Sequence, residues 1–426
     1  MKKNKTISWI LALLPIVGIY SIMGVNISNM ILILLVLYGI YRTVQHQGIL
    51  KIGKIDKILV VFWIYTLVVS LINIFFSKNF ELTDILTKYI HLLCFIFIIA
   101  LLRNNLLNED WDSSPFILVA LVSSVFLIIQ FIFYNFNGIE IYGVLEMYRT
   151  NITNDITRPS SFFVEPAHFC RYCVLPLFLI LFEENLKNRM FKAVLISVAI
   201  ILSQSSIGYI SLALIWVLWL INTLHAKKIS YNKVLKSLLL IVPALLICIK
   251  MSSKFKLFNF VLEHISGLNM KEITSGNVRI FRGFWIWKEE PFLNKLFGVG
   301  FANVKTFLIN NRIRTIFDGM IECGNEYMSA ISYILVINGV IGLAIFLYAL
   351  WYLFLKGGNN KKILILLFIV LMLSNEEFQS VDFINIWLYL LLEISYKRVE
   401  NRKVAEVEKE NRNDIKGINK KNILWS

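Results

Sequence analysis

Four ionisable side chains fall within fourteen residues of one another: Arg158, Glu165, His168 and Arg171. They surround the run Arg158-Pro159-Ser160-Ser161-Phe162-Phe163-Val164-Glu165-Pro166 and the start of an apolar block. Pro166 suits the first turn of a helix, where its missing N–H costs nothing. Glu165 beside it stands where a helix dipole favours negative charge. His168 and Arg171 are three apart and share a helix face. Arg171 lies about one turn into apolar sequence, and an ionisable group at that depth marks a functional site by default. The plainer reading is that Arg171 snorkels to an interface and Glu165 pairs with it.

A second run has the same character. Arg279 and Arg282 are three apart on a stretch that reads as an amphipathic helix. Two guanidinium forks on one face suit a phosphate or diphosphate, and loop salt bridges are the alternative. Trp285 and Trp287 suit headgroup anchoring, with stacking on sugar rings the lesser reading. Gly298-Val299-Gly300 is a turn signal, too short for a phosphate loop. There is no nucleotide P-loop, no dinucleotide G-x-G-x-x-G and no H-E-x-x-H, and the histidines at 46, 91, 168, 225 and 264 are scattered. These absences argue against an ATP-driven pump and a zinc protease, and no metal or cofactor is expected. Cys170 and Cys173 read as packed thiols within a helix. The five cysteines imply no disulfide framework.

The elements that must position these groups are apolar. The chain is 57% hydrophobic and only 17% charged, with a mean hydropathy of +0.68. Its apolar residues come in unbroken blocks, which read as spanning helices because lipid offers no partner to bare backbone. Short alternating segments, the mark of a β-barrel, are absent. The expectation is an all-α integral membrane protein of about 12 transmembrane helices. The blocks are Ile7–Met23, Ile27–Tyr41, Ile58–Phe76, Ile85–Leu102, Pro115–Tyr134, Ala167–Phe182, Phe191–Ser203, Ile207–Thr223, Leu238–Ile249, Tyr327–Leu355, Ile363–Leu373 and Phe383–Ser395. The first reads as an uncleaved helix because no small-residue cleavage site follows it. Ser203-Gln204-Ser205-Ser206 is a polar break between two blocks, and Asn338-Gly339 a break within one.

Most of the +15 charge flanks the blocks and is topology signal before it is ligand signal. With the N-terminus cytoplasmic, strict alternation puts Arg42, Arg103, Lys187, Arg189, Lys227, Lys356 and Lys361 inside. The expected organisation is a membrane domain over 1–395 and a charged cytoplasmic tail over 396–426. Two long outer loops follow, about 135–166 and 251–326. The second carries ten Lys/Arg against seven Asp/Glu, a net +3 that suits an anionic ligand. Lipid bilayer is the expected surroundings, and nucleic acid is not an expected partner.

In order and spacing these motifs resemble the Wzy-type O-antigen and capsule repeat-unit polymerases of the wider O-antigen polymerase/ligase family. Arg158 through Pro166 is similar to their R-x-S-G-x-F-x-E-P signature, and Ser203–Ser206 to their S-x-S. Arg279 and Arg282 before Gly298-Val299-Gly300 resemble their large-loop arginines and G-x-G. Asn338-Gly339-Val340-Ile341-Gly342-Leu343 resembles the G-x-I-G-L that re-enters the membrane. The resemblance implies a membrane glycosyltransferase that joins undecaprenyl-pyrophosphate-linked oligosaccharides at the outer face of the bacterial cytoplasmic membrane. It implies that Arg279 and Arg282, with Arg158 and Arg171, bind the pyrophosphate. It also implies that Glu165 or His168 handles the acceptor hydroxyl. The ligase branch carries a His after the large loop. Here that stretch is Asn325-Glu326-Tyr327-Met328-Ser329, which favours polymerase and adds Glu326 as a candidate base. A ligase and a flippase for the lipid-linked unit are the competing readings. The chain-length regulator and flippase of the same pathway are the partners the resemblance implies.

Overall fold

The computed structural model describes residues 6–22, 25–45, 53–76, 82–103, 112–145, 158–182, 188–225, 275–301, 303–317, 326–373, 378, 380, 381 and 383–391. The expected block Leu238–Ile249 and the tail 396–426 lie outside them. Among the described residues the fold is helical apart from one small antiparallel hairpin, β1 (Ser21–Ile22) with β2 (Val25–Asn26). The helices are α1 (Thr6–Val17), α2 (Ile27–Gln45), α3 (Lys54–Phe76), α4 (Leu82–Arg103), α5 (Ser114–Asn137), α6 (Pro166–Phe182), α7 (Arg189–Leu202), α8 (Ser206–His225), α9 (Ser275–Glu289), α10 (Phe292–Phe297), α11 (Val304–Asn310), α12 (Ala330–Lys356), α13 (Asn359–Met372) and α14 (383–391). Each expected apolar block other than 238–249 overlaps one of them, but Ile7–Met23 is helical only to Val17 and gives way to the hairpin at Ser21. Among the described residues five helices, α2, α3, α5, α8 and α12, are long and apolar enough to cross a membrane; α1, α6 and the Lys88–Leu101 part of α4 are apolar and shorter.

Burial sorts these helices. In α6 every residue from Phe169 to Phe182 is buried, and α5, α7 and α8 pack around it. A helix apolar on all sides belongs inside a bundle or against lipid. α6 is the first kind; α3 and α8, with most of their apolar surface uncovered by the described residues, fit the second.

One end of the bundle gathers basic side chains. Arg189 donates to the Leu181 carbonyl at 2.5 Å, and Lys361 to the Leu390 carbonyl at 2.8 Å. Lys54 sits over the Tyr352 ring at 5.4 Å. Arg189 thus meets a carbonyl in the last turn of α6, where the dipole favours positive charge. The C-terminal ends of α6 and α12 thus share one side with the N-terminal ends of α3, α7 and α13.

The other half of the bundle contains the described part of the large loop, 275–301 and 303–317. α10 and the glycine turn after it lie against α12 where α12 breaks. Gly339 adopts φ 61° and ψ −170° inside α12, a conformation essentially confined to glycine. The carbonyls exposed by the break are taken by the turn: Val299 N–H donates to Val336 O at 3.0 Å and Gly300 N–H to Ile337 O at 2.9 Å. α3 seals the joint. Tyr65 Oη donates to Phe297 O (3.2 Å) and Asn338 O (3.1 Å), Asn338 Nδ2 to Thr66 Oγ1 (2.9 Å), and Ser70 Oγ accepts from Phe301 N–H (2.7 Å). Unpaired backbone is the costliest thing to leave in an apolar surround, and this turn removes it.

Between α9 and α10, Trp287 donates its indole N–H to Lys295 O at 3.1 Å, so that group is held by protein. Glu290 follows, 3% exposed, with neither carboxyl oxygen hydrogen-bonded among the described residues. Burial pushes this carboxyl up to about 9, and nearby Lys295 offsets only part of that. Glu290 is therefore neutral in the folded protein at pH 7. The unfolded chain releases that proton near 4.5, so folding is progressively penalised as pH rises from 4.5 towards about 9. At pH 7 the penalty is roughly 3 kcal/mol. Glu290→Gln removes it. Melting curves are expected to show the variant more stable at neutral pH and less sensitive to alkali; identical pH profiles would refute this.

Candidate functional site

The segment 158–165 is pinned before it reaches α6. Ser161 donates its N–H to Gln130 Oε1 and its Oγ to the Ser123 carbonyl, both at 2.8 Å. Phe163 is buried against Phe169 and Tyr172, and Phe162 stacks on Phe126 with ring centroids 4.5 Å apart. The apolar residues of the motif are thus anchors for its polar ones. Arg158 donates to Gln204 O at 3.0 Å, inside the polar break between α7 and α8. In the same break Ser203 Oγ lies 3.1 Å from Cys170 Sγ, which ties the break to α6.

α9 brings the second run. Its Arg279 carbonyl accepts from Ser329 N–H at 2.6 Å, and Gly283 is set directly against Ser332. Ser329 caps α12 by accepting from Ser332 N–H at 3.3 Å. This docking presents two guanidinium groups to Tyr327. Arg279 lies over the Tyr327 ring, 4.6 Å from its centroid, and its Nε donates to the Tyr327 hydroxyl. Arg282, 2% exposed, donates to the Tyr327 carbonyl at 3.3 Å.

The two runs meet at Glu165. Its Oε2 is 3.4 Å from Arg279 Nη2, across 114 residues of sequence. Burial pushes the Glu165 carboxyl up, but Arg279, His168 and Arg171 together hold it below its ordinary value. The pair's contribution to stability is therefore in place above that value and lost as pH falls through the lowered one. Arg158 and Arg171 both lie within electrostatic reach of Cys170, one turn into α6. The structure thus gathers Arg158, Glu165, His168, Arg171 and Arg279 about the N-terminus of α6, with Arg282 one turn along α9 and held on the Tyr327 carbonyl.

Glu326 adjoins this cluster with different partners. Its Oε2 is 2.5 Å from Lys88 Nζ and accepts from Tyr333 Oη at 3.4 Å. Lys88 reaches it from α4 and also lies over the Phe301 ring. Tyr327 and Lys88 were not singled out in the sequence. A lysine within an apolar block was a usable signal for the second, by the same rule that marked Arg171. For Tyr327 the one signal was its place beside Glu326.

The arrangement is an assembly of cations around one partly exposed carboxylate, with a second carboxylate next to it. It can bind a multiply charged anion and accept a proton nearby. No protein-family model and no curated protein sequence matches the chain.

Proposed function

We propose that the chain is a polymerase of lipid-linked oligosaccharides, acting at the outer face of the bacterial cytoplasmic membrane. In this reading it crosses the membrane about twelve times with both termini in the cytoplasm. The substrate is an undecaprenyl-pyrophosphate-linked repeat unit. One observation carries the reading: two loops far apart in sequence deliver Arg279, Arg282 and Glu165 to one spot at the end of the bundle opposite its basic end. That end is where a lipid diphosphate at the outer leaflet would present its charge.

The chemistry follows from the groups present. An acceptor sugar hydroxyl attacks the anomeric carbon of the donor glycan. The bond between that carbon and the phosphate oxygen breaks, and the diphosphate leaves with the electron pair. Arg279 and Arg282 stabilise the negative charge that builds on it, with Arg171 and Arg158 adding to the local field. The hydroxyl proton passes to a carboxylate, Glu165 or Glu326. No nucleotide sugar takes part.

The test is to incubate purified protein with lipid-linked repeat units. A ladder of products differing by one repeat is expected. Transfer to a different acceptor without a ladder would instead mean a ligase. In cells, deletion is expected to leave single-repeat material outside the membrane; its retention inside would mean a flippase.

A further inference from the structure

We propose that Lys88 is a positioning residue that orients Glu326 as the base for the acceptor hydroxyl, in a subsite separate from the arginines that take the diphosphate. The inference rests on the polymerase reading and divides its two carboxylates between two jobs.

Glu165 and Glu326 differ in what surrounds them. Glu165 touches Arg279 and feels His168 and Arg171, the cations a diphosphate would seek. A carboxylate amid several cations competes with the anion for them and holds its proton weakly. Among the described residues Glu326 has one cation, and its contacts with Lys88 and Tyr333 both fall on Oε2. Among the described residues Oε1 has no partner, and the side chain is 25% exposed. One oxygen is thus fixed and the other open, which is the geometry a general base needs.

Lys88 itself is built into the site. It leaves α4 beside Tyr89, whose hydroxyl donates to Thr66 O at 3.0 Å and whose ring packs edge-on against Phe301. Phe301 ends the glycine turn that fills the break in α12. The lysine is therefore referenced to the same joint that sets α12, and through Ser329 to the arginine helix. Adjacent residues 326 and 327 hand their side chains to different partners: Glu326 to Lys88, Tyr327 to Arg279. Two substrates that each carry a sugar and a diphosphate need this separation of proton acceptor from diphosphate grip.

The test uses the full-length purified protein and two readouts, binding of farnesyl diphosphate and the rate of ladder formation. Lys88→Met and Glu326→Gln are expected to lower kcat about 100-fold, with KM and farnesyl diphosphate affinity within about twofold of the parent. Lys88→Arg is expected to recover most of the rate. The proposal is overturned if Lys88→Met retains the parent's rate, or weakens diphosphate binding as Arg279→Ala does. Should Lys88→Met lower the melting temperature, the near-isosteric Glu326→Gln decides by the same criteria. A parent protein that forms no ladder and binds no farnesyl diphosphate overturns the polymerase reading itself, a result distinct from either.

Discussion

Cells in which Arg279→Ala or Arg282→Ala replaces the parent protein are expected to export single-repeat glycan and little or no long polymer. Each guanidinium is assigned to charge that appears on the leaving diphosphate, and deleting one such donor typically costs a factor of about 100 to 1,000 in rate. The two substitutions differ in side effects. Arg279 is partly exposed, at 20% of its side chain, and its removal frees Glu165 and the Tyr327 ring without opening the core. Arg282 is fully enclosed, so its loss also leaves a cavity and strips the Tyr327 carbonyl of a donor. Arg279→Ala is thus the cleaner probe of chemistry, and Arg282→Ala is expected to lower the melting temperature too. Arg279→Lys keeps the charge but loses the planar fork and the stacking on Tyr327, and an intermediate defect is expected. Glycan ladders on gels, normalised to protein level, decide the matter. Full-length polymer from Arg279→Ala cells at normal protein levels would remove the diphosphate assignment.

The helical blocks were legible because each is a local property: a run of apolar residues long enough to satisfy its own backbone. Arg171 and the pair Arg279/Arg282 were legible for a related reason, since charge in or beside such runs is costly and calls for a purpose. What the sequence hid is contact between distant segments. Gly298-Val299-Gly300 and Asn338-Gly339 each read as a local turn or break. Nothing in either run says that the backbone N–H groups of one fill the orphaned carbonyls of the other. The serine, threonine and asparagine of α3 were equally silent, because a scattered polar residue in an apolar helix gains meaning only from its partner. Thr66 and Ser70 acquire theirs from Asn338 and Phe301. Lys88 carries a local signal, a charge within an apolar block, but its partner Glu326 lies 238 residues away. The short helices α10 and α11 were also unread, being too brief to show a period.

That hidden joint supports the second large effect, the expected collapse of the site in Gly339→Ala. Two costs combine there. An alanine at φ 61° and ψ −170° is strained by about 1–3 kcal/mol wherever it occurs. Its Cβ would also stand 2.3 Å from the Leu296 backbone, which must retreat and take α10 with it. Retreat opens the Val299–Val336 and Gly300–Ile337 hydrogen bonds and leaves carbonyls bare in an apolar surround. The sum is on the order of 4 kcal/mol or more, in the range of the most disruptive single substitutions. Gly138→Ala separates the two costs. Gly138 also has a positive φ, 64°, but nothing lies within 4 Å of the added Cβ. It is expected to cost about 1 kcal/mol from backbone strain alone. Melting temperatures in detergent should therefore fall slightly for Gly138→Ala and steeply for Gly339→Ala. Ladder formation should persist in the first and vanish in the second, because the turn that seats α12 also sets the height at which Ser329 holds Arg279. If the two variants melt together, the turn is not bearing on the break, and the arginines must be positioned by something else.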